Sequence, residues 1–371
     1  MSTQVNTEAL AAHTTSRVGG PAQAWVVADT EKQIVEAIRE ADQADTPVLV
    51  LGGGSNILAA DAGFPGTVVR LATTGISTEE LTADSGQPRV RVTVAAGHVW
   101  DDVVAWTVDQ GLTGLEALSG IPGCAGATPV QNVGAYGADI AQTLHQIRAL
   151  DRATGEVVEL SNAELEFGYR DSIIKRTLAD AATDPRAATP RWVVLSVEFD
   201  LRRSGSEAPV RYAQLARALG VEEGEHASLQ AVRDHVLQLR AGKGMVLNAD
   251  DHDTWSTGSF FTNPIVPAAL RAQLPDTAPA FGAGEDPESG EALVKLSAAW
   301  LIEHAGFPRG FGTDLVEGRA SLSTKHTLAL TNRGQACTED LITVARAVRD
   351  GVQSAWGIEL TPEPVLLGCS L

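Results

Sequence analysis

Two glycine-rich segments restrict what this 371-residue chain can build. The first, Leu51-Gly52-Gly53-Gly54-Ser55-Asn56, directly follows the apolar run Pro47 to Leu51, which reads as a buried strand. The second runs Ser119-Gly120-Ile121-Pro122-Gly123-Cys124-Ala125-Gly126-Ala127 and continues into Pro129-Val130-Gln131-Asn132-Val133-Gly134-Ala135. Glycine lets backbone N–H groups approach a phosphate and supplies positive φ without steric cost. Neither segment is a Rossmann fingerprint, because Ile57 stands where the third glycine is needed, and no GxxxxGK[ST] P-loop occurs. One such cluster alone reads as a tight turn. Two, each beside strands, favour a dinucleotide diphosphate held between two lobes.

The flanking pattern supports two lobes. Ala24 to Ala28 reads as a strand, and Thr30 to Ala41 as a helix with Ile34, Ala37, Ile38 and Ala41 on one face, capped by Asp29 or Thr30. Thr67 to Leu71 is another strand. The polar stretch Ser77 to Pro88 is expected to separate this lobe from the next. There Val90 to Ala95 is a strand, Val99 to Gln110 a helix, and Leu144 to Asp151 with Glu156 to Leu160 a hairpin around Ala153-Thr154-Gly155. Trp192 to Leu201 is a further strand. Thr177 to Arg191 and Asp276 to Glu291 read as surface loops, the latter mobile. Ser228 to Arg240 reads as a capped helix, and Val294 to His304 and Thr338 to Trp356 as two more helices. An apolar strand follows Pro362-Glu363-Pro364. These signals divide the chain into 1–78, 79–222 and 223–371.

Charge narrows the function. The formal net charge is -19, the wrong sign for neutralising nucleic-acid phosphates or an anionic membrane surface. An anionic substrate would therefore need a few local cations inside a cleft. No run approaches the roughly 18 apolar residues of a membrane span. Met1 to His13 carries no Lys or Arg, so no secretory signal is expected there. Cys124, Cys337 and Cys369 are widely spaced, with no CxxC. Neither a disulfide framework nor a metal site is expected, and a reducing cytoplasm is the natural compartment.

Further motifs carry a resemblance. Val50 to Asn56 resembles the first flavin-binding turn of the UDP-N-acetylenolpyruvoylglucosamine reductases, and Ser119 to Gly126 with Pro129 to Gly137 (PVQNVGAYG) resembles the second. Gly168-Tyr169-Arg170-Asp171-Ser172 matches that family's GYRDS motif, and Gly258 to Pro264 its GSFFxNP motif. Ala299-Trp300-Leu301-Ile302-Glu303 and Pro362-Glu363-Pro364 fit the same pattern. The matches run in order from about residue 14 to the C-terminus. The resemblance implies an α+β protein with a two-lobed FAD-binding domain of the vanillyl-alcohol-oxidase-like (PCMH-type) fold. A C-terminal α+β substrate-binding domain would close over the substrate.

It also implies a reaction: NADPH reduces bound FAD, and UDP-N-acetylglucosamine enolpyruvate is then reduced to UDP-N-acetylmuramate for peptidoglycan synthesis. Such a site needs a cation at the substrate carboxylate, a proton donor beside the developing enolate, and a dry pocket. Arg170 fits the first need through its planar fork; an isolated arginine here would read as a surface partner of Asp171. Ser259 takes the proton-donor role by resemblance, against the reading of a turn cap. Glu363, stiffened between two prolines, would stabilise or protonate the enol, against the reading of an exposed carboxylate. FAD would be held without a covalent link by Leu51 to Asn56, Ser119, Gly120, Ile121, Pro122, Gly123, Gly126, Ala127, Gln131, Asn132 and Gly134. Tyr136, Tyr169, Tyr212, Lys243, Asn263 and His326 are the expected substrate contacts.

The competing readings are another flavoenzyme of the same fold and a non-catalytic UDP-sugar-binding protein. The ordered set Arg170, Ser259 and Glu363 argues against both. The oligomeric state stays open, with a monomer as the default expectation.

Overall fold

The computed structural model describes residues 8–81, 88–178, 180–203 and 205–371. The readings of Met1 to His13, Ser77 to Pro88 and Thr177 to Arg191 extend over residues 1–7, 82–87 and 179, which lie outside the described residues.

The first lobe begins with β1 (Ala22–Ala28), α1 (Glu31–Gln43), β2 (Val48–Leu51), β3 (Ile57–Ala59) and β4 (Phe64–Leu71). Thr30 caps α1 in a capping box with Gln33. Ile34, Val35, Ala37, Ile38 and Ala41 are the buried side of α1. β1, β4 and β2 form a parallel sheet in the order β1-β4-β2. The chain leaves β2 straight into the first glycine segment.

The second lobe contains β5 (Ile76–Leu81), β6 (Arg89–Ala95), α2 (Trp100–Asp109) and the two-residue strands β7 (Leu112–Thr113), β8 (Gly134–Ala135) and β9 (Ala138–Asp139). The hairpin β10 (Leu144–Asp151) and β11 (Glu156–Ser161) follows, then α3 (Ile173–Arg176) and the long β12 (Trp192–Arg203). An antiparallel sheet runs β11-β10-β12-β6-β5, with β7 pairing on β12. Trp100 is fully buried against Phe199, with ring centroids 5.8 Å apart. Two expectations fail here. Ser77 to Pro88 is not wholly a separator, because β5 is the outer strand of this sheet, and the boundary drawn at residue 78 cuts it. Its Ser-Thr-Glu-Glu run is exposed, as suits a charged edge strand, and that polarity hides the strand in the sequence.

The other correction concerns Thr177 to Arg191. Ala181, Ala187 and Ala188 are buried in the first lobe's core. Thr189 is 4% exposed. Its hydroxyl donates to Val48 O at 2.7 Å and accepts from Val50 N at 2.9 Å, closing the free edge of β2. Thr189→Val should leave both backbone groups unpaired and cost about 1–3 kcal/mol; denaturant unfolding checks this, and unchanged stability would refute the strand-closing role.

Next come β13 (Glu207–Pro209), α4 (Ala213–Leu219), β14 (His226–Ser228) and α5 (Leu229–Gly242), capped by Ser228 as expected. β13 pairs with β14, and α5 packs on α2 and on the turn 116–118. The boundary expected at 222 thus falls inside one structural unit that sits on the second lobe.

The remainder holds β15 (Ile265–Pro267), α6 (Ala268–Arg271), β16 (Ala280–Glu285), β17 (Ala292–Leu296), α7 (Ala298–His304), β18 (Ala320–Leu322), β19 (Leu330–Asn332), α8 (Thr338–Trp356) and β20 (Val365–Leu367). Asp276 to Glu291 is not simply a loop, since β16 pairs with β17. The expected helix Val294 to His304 divides into β17 and α7, with the Ser297 hydroxyl capping α7 through Trp300 N. Among the described residues no helix is long and apolar enough to cross a membrane. Strand β20 returns to pair in parallel with β3 of the first lobe. That return carries Glu363 to the glycine segments.

Candidate active site

The two glycine segments pack against each other. A Cβ on Gly53 would lie 2.7 Å from Gly123 Cα, and one on Gly54 (φ +60°) 2.0 Å from His13 O. Ser55 Oγ donates to Pro122 O at 3.0 Å. Both contacts are with backbone, which cannot swing aside. Gly53→Ala should therefore separate the turns and release the flavin, read as loss of 450 nm absorbance in the purified protein; full flavin content in that variant would refute the assignment.

Between the turns lies a cavity of about 310 Å³. Leu51 to Asn56, Ile121, Pro122, Gly123, Gly126, Ala127, Gln131 and Gly134 line it, as expected for the cofactor. Among the described residues, the N–H groups of Gly52, Gly54, Ser55 and Asn56 donate to no protein acceptor. A row of unpaired N–H groups in a glycine turn fits a diphosphate, and the apolar Val50, Val133 and Val193 on the same walls suit a ring system. The residues present therefore fit FAD. Three expected cofactor ligands stand back from this cavity. Ser119 is fully buried and donates to Glu116 O; Gly120 N donates to Asp101; Asn132 bridges Gly168 O and Ala141 N. They shape the second turn from behind.

Arg170, Ser259 and Glu363 line the same cavity. Arg170 Nε lies 3.1 Å from Glu363 Oε1, and its Nη2 donates to Gly134 O at 3.0 Å. Asp171 pairs instead with Arg176 at 2.6 Å, so the surface-pair reading of Arg170 fails. Arg170 sits in a left-handed conformation (φ 53°), and Lys175 Nζ donates to its carbonyl at 3.0 Å. Such a conformation persists only where the surroundings hold it.

Glu363 is largely enclosed, its side chain 12% exposed, and is not an exposed loop carboxylate. Its N–H donates to Phe260 O at 2.8 Å, so the Pro-Glu-Pro segment lies against the GSFF segment. Burial pushes its carboxyl above the ordinary glutamate range, and the cations Arg170 and Lys175 pull only partly back. Ser259 is held by a backbone bridge to Ala329. Its hydroxyl has no protein hydrogen-bond partner among the described residues.

The expected substrate contacts divide into two groups. Tyr136 and Tyr212 meet edge-to-face at 5.5 Å, Lys243 Nζ lies 5.7 Å from the Tyr136 ring, and Lys243 donates to Gln214 on α4 at 3.0 Å. His326 lies within the field of Lys243. Burial, then Lys243 and Arg309, depress the His326 imidazole to about 4, so it is neutral at pH 7. Tyr169 and Asn263 stand apart from that group. Tyr169 is packed by Lys295, 4.4 Å from its ring, and by Arg170. Asn263 Oδ1 accepts from Ala298 N at 2.9 Å and so helps start α7.

Sequence reasoning missed Arg240 and Cys124 as cavity walls. Arg240, at the end of α5, donates from Nη2 to Met245 O at 2.8 Å, while its buried Nε has no partner. Its signal was available: it stands one turn before Lys243, on the same helix face. Cys124 is buried beneath Gly52, and burial raises its thiol pKa.

Comparison with known proteins agrees with this geometry. A sequence model of an FAD-binding domain matches residues 22–161, and one described as the C-terminal domain of UDP-N-acetylenolpyruvoylglucosamine reductase matches residues 250–367. The reductase of that name from Streptomyces coelicolor is 50% identical over 370 residues, covering 98% of this chain and 90% of that one. Its counterpart from Nocardia farcinica is 52% identical, covering 98% and 89%. The crystal structure of the Thermus caldophilus reductase superposes with a TM-score of 0.61 at 22% identity, covering 99% of this chain and all of that one. Two glycine turns facing one cavity, closed by a C-terminal carboxylate, thus coincide with full-length similarity: the chain belongs to the UDP-N-acetylenolpyruvoylglucosamine reductase family.

Proposed function

We propose that this protein reduces UDP-N-acetylglucosamine enolpyruvate to UDP-N-acetylmuramate, with NADPH as reductant, FAD bound non-covalently and the cytoplasm as its compartment. One observation carries the reading: Arg170, Ser259 and Glu363, far apart in sequence, line a single cavity built from two glycine turns.

FAD, when bound, supplies the two-electron carrier between NADPH and the enolpyruvyl group. The chain's residues do the rest. Arg170 provides a fixed positive fork for the substrate carboxylate, on which charge develops during reduction. Glu363 is held in an enclosed setting that raises its carboxyl pKa above the ordinary glutamate value, and in its protonated form it can donate a hydrogen bond to that oxygen. Ser259 offers an uncommitted hydroxyl on the same wall for protonating the adjacent carbon. Lys243 and the tyrosines Tyr136 and Tyr212, next to the neutral His326, supply a cationic and aromatic patch suited to a diphosphate and sugar. In a chain of net charge -19, Arg170, Lys175, Arg240 and Lys243 are the local cations that an anionic substrate requires.

The test is an anaerobic visible spectrum. The purified protein should be yellow, bleach with NADPH, and regain its colour when UDP-N-acetylglucosamine enolpyruvate is added. Bleaching without recovery would reject this substrate and keep a flavoenzyme. A colourless protein that takes up no FAD would reject the whole reading.

A further inference from the structure

Gln131 is expected from sequence to hold the cofactor, yet its side chain is engaged elsewhere. Its Nε2 donates to Glu363 Oε1 at 3.1 Å, and its Oε1 accepts from Asn56 Nδ2 at 3.0 Å. The same Asn56 Nδ2 donates to the Glu363 carbonyl at 3.5 Å. Asn56 therefore presents its nitrogen to two acceptors. That leaves Gln131 with its oxygen towards Asn56 and its NH2 towards the carboxylate, so neither amide can be reversed without losing hydrogen bonds.

Arg170 Nε reaches the same Glu363 oxygen at 3.1 Å. Oε1 thus meets one charged and one neutral donor. Among the described residues, no hydrogen-bond donor is directed at Oε2. The flanking prolines fix the Glu363 backbone, and the two donors on Oε1 fix the last torsion of its side chain.

Resting on the reading of Glu363 as the carboxyl that hydrogen-bonds the developing enolate, we propose that Gln131 is a positioning residue for the reaction. With Asn56 it locks the Glu363 carboxyl so that Oε1 is the anchored acceptor and Oε2 the oxygen that presents the acidic proton to the substrate. An unlocked carboxyl would divide its proton between two oxygens and several rotations. Displacement of an acid by an ångström is enough to cost ~100-fold in rate. The charged groups facing Glu363 are Arg170 and Lys175, both from the second lobe. Asn56 and Gln131 are neutral, so they orient the acid without making it stronger by a full charge.

The test uses the holoenzyme of two variants, with rates normalised to bound flavin. Gln131→Met keeps the length but removes both hydrogen bonds. Gln131→Glu keeps an acceptor for Asn56 and sets a second carboxylate against Glu363. Flavin reoxidation by the enolpyruvyl substrate should slow by ~10–100-fold in Gln131→Met. Its alkaline limb, where Glu363 loses its proton, should move to higher pH, because a donor that favoured the ionised form is gone. The limb should move further in Gln131→Glu, because like charges oppose ionisation.

A limb at the wild-type position in both variants overturns the proposal. So does loss of flavin from both, which would make Gln131 a cofactor ligand. Glu363→Gln separates this inference from its premise. If that variant reoxidises normally, that reading of Glu363 itself fails. If it is blocked while the Gln131 variants keep the wild-type limb, only the positioning role fails.

Discussion

Arg170→Ala is expected to lower kcat/KM for the enolpyruvyl substrate by ~1000-fold, with KM rising and kcat falling together. The split follows from geometry. A contact to the substrate carboxylate exists before reduction and strengthens as charge develops on those oxygens, so its loss affects both binding and chemistry. One preorganised charged donor is worth ~100–1000-fold by itself. Arg170 also serves Glu363, at 3.1 Å. Without the guanidinium, the carboxylate loses the larger of the two cationic influences on it, Arg170 and Lys175. Its pKa, already raised by burial, should rise further, and the alkaline limb of reoxidation should move to higher pH. Arg170→Lys should recover little, because an ammonium cannot reach Gly134 O and Glu363 at once in the fork geometry. Stopped-flow reoxidation at several substrate concentrations checks this. Unchanged substrate affinity in Arg170→Ala would remove the residue from the carboxylate site.

What could be read from the sequence follows how local each signal is. The glycine turns and the caps Thr30 and Ser228 announce themselves within a few residues, because backbone conformation and capping are decided locally. Glu363 was legible as a stiffened carboxylate, and it lines the cavity between the glycine turns. The failures are all non-local. Nothing within Thr177 to Arg191 signals that Thr189 will close the edge of β2, since its partners lie 141 and 139 residues away. β5 is polar because it is an edge strand, and polarity is also what a linker shows. Asn263, expected at the substrate, has its oxygen taken by Ala298 N, a contact the motif alone does not signal. Gln131 is the reverse case: a residue in a flavin motif whose side chain also reaches the Glu363 carboxyl. A motif fixes where a residue lies in the fold; the partner that residue takes depends on distant chain, 35 positions away for Asn263 and 232 for Gln131.

Ser259→Ala should slow flavin reoxidation by the enolpyruvyl substrate by ~100–1000-fold while leaving reduction by NADPH nearly unchanged. The structure makes this variant unusually clean. The Ser259 hydroxyl has no protein partner among the described residues, so its removal breaks no hydrogen bond of the fold. Its backbone bridge to Ala329 survives the substitution, and the positive φ that shapes the turn belongs to Gly258 (φ +76°). Folding, flavin content and the NADPH half-reaction should therefore all persist, and the defect should fall on the step that needs a proton. A free serine hydroxyl is a poor acid in water; its effectiveness here must come from a wall shared with Arg170 and Arg240, whose charges favour the ionised oxygen. The measurement is single-turnover reoxidation of pre-reduced enzyme, in wild type and variant at one pH. A variant within about twofold of wild type would exclude Ser259 as the donor, since the loss of a working acid is far larger than that.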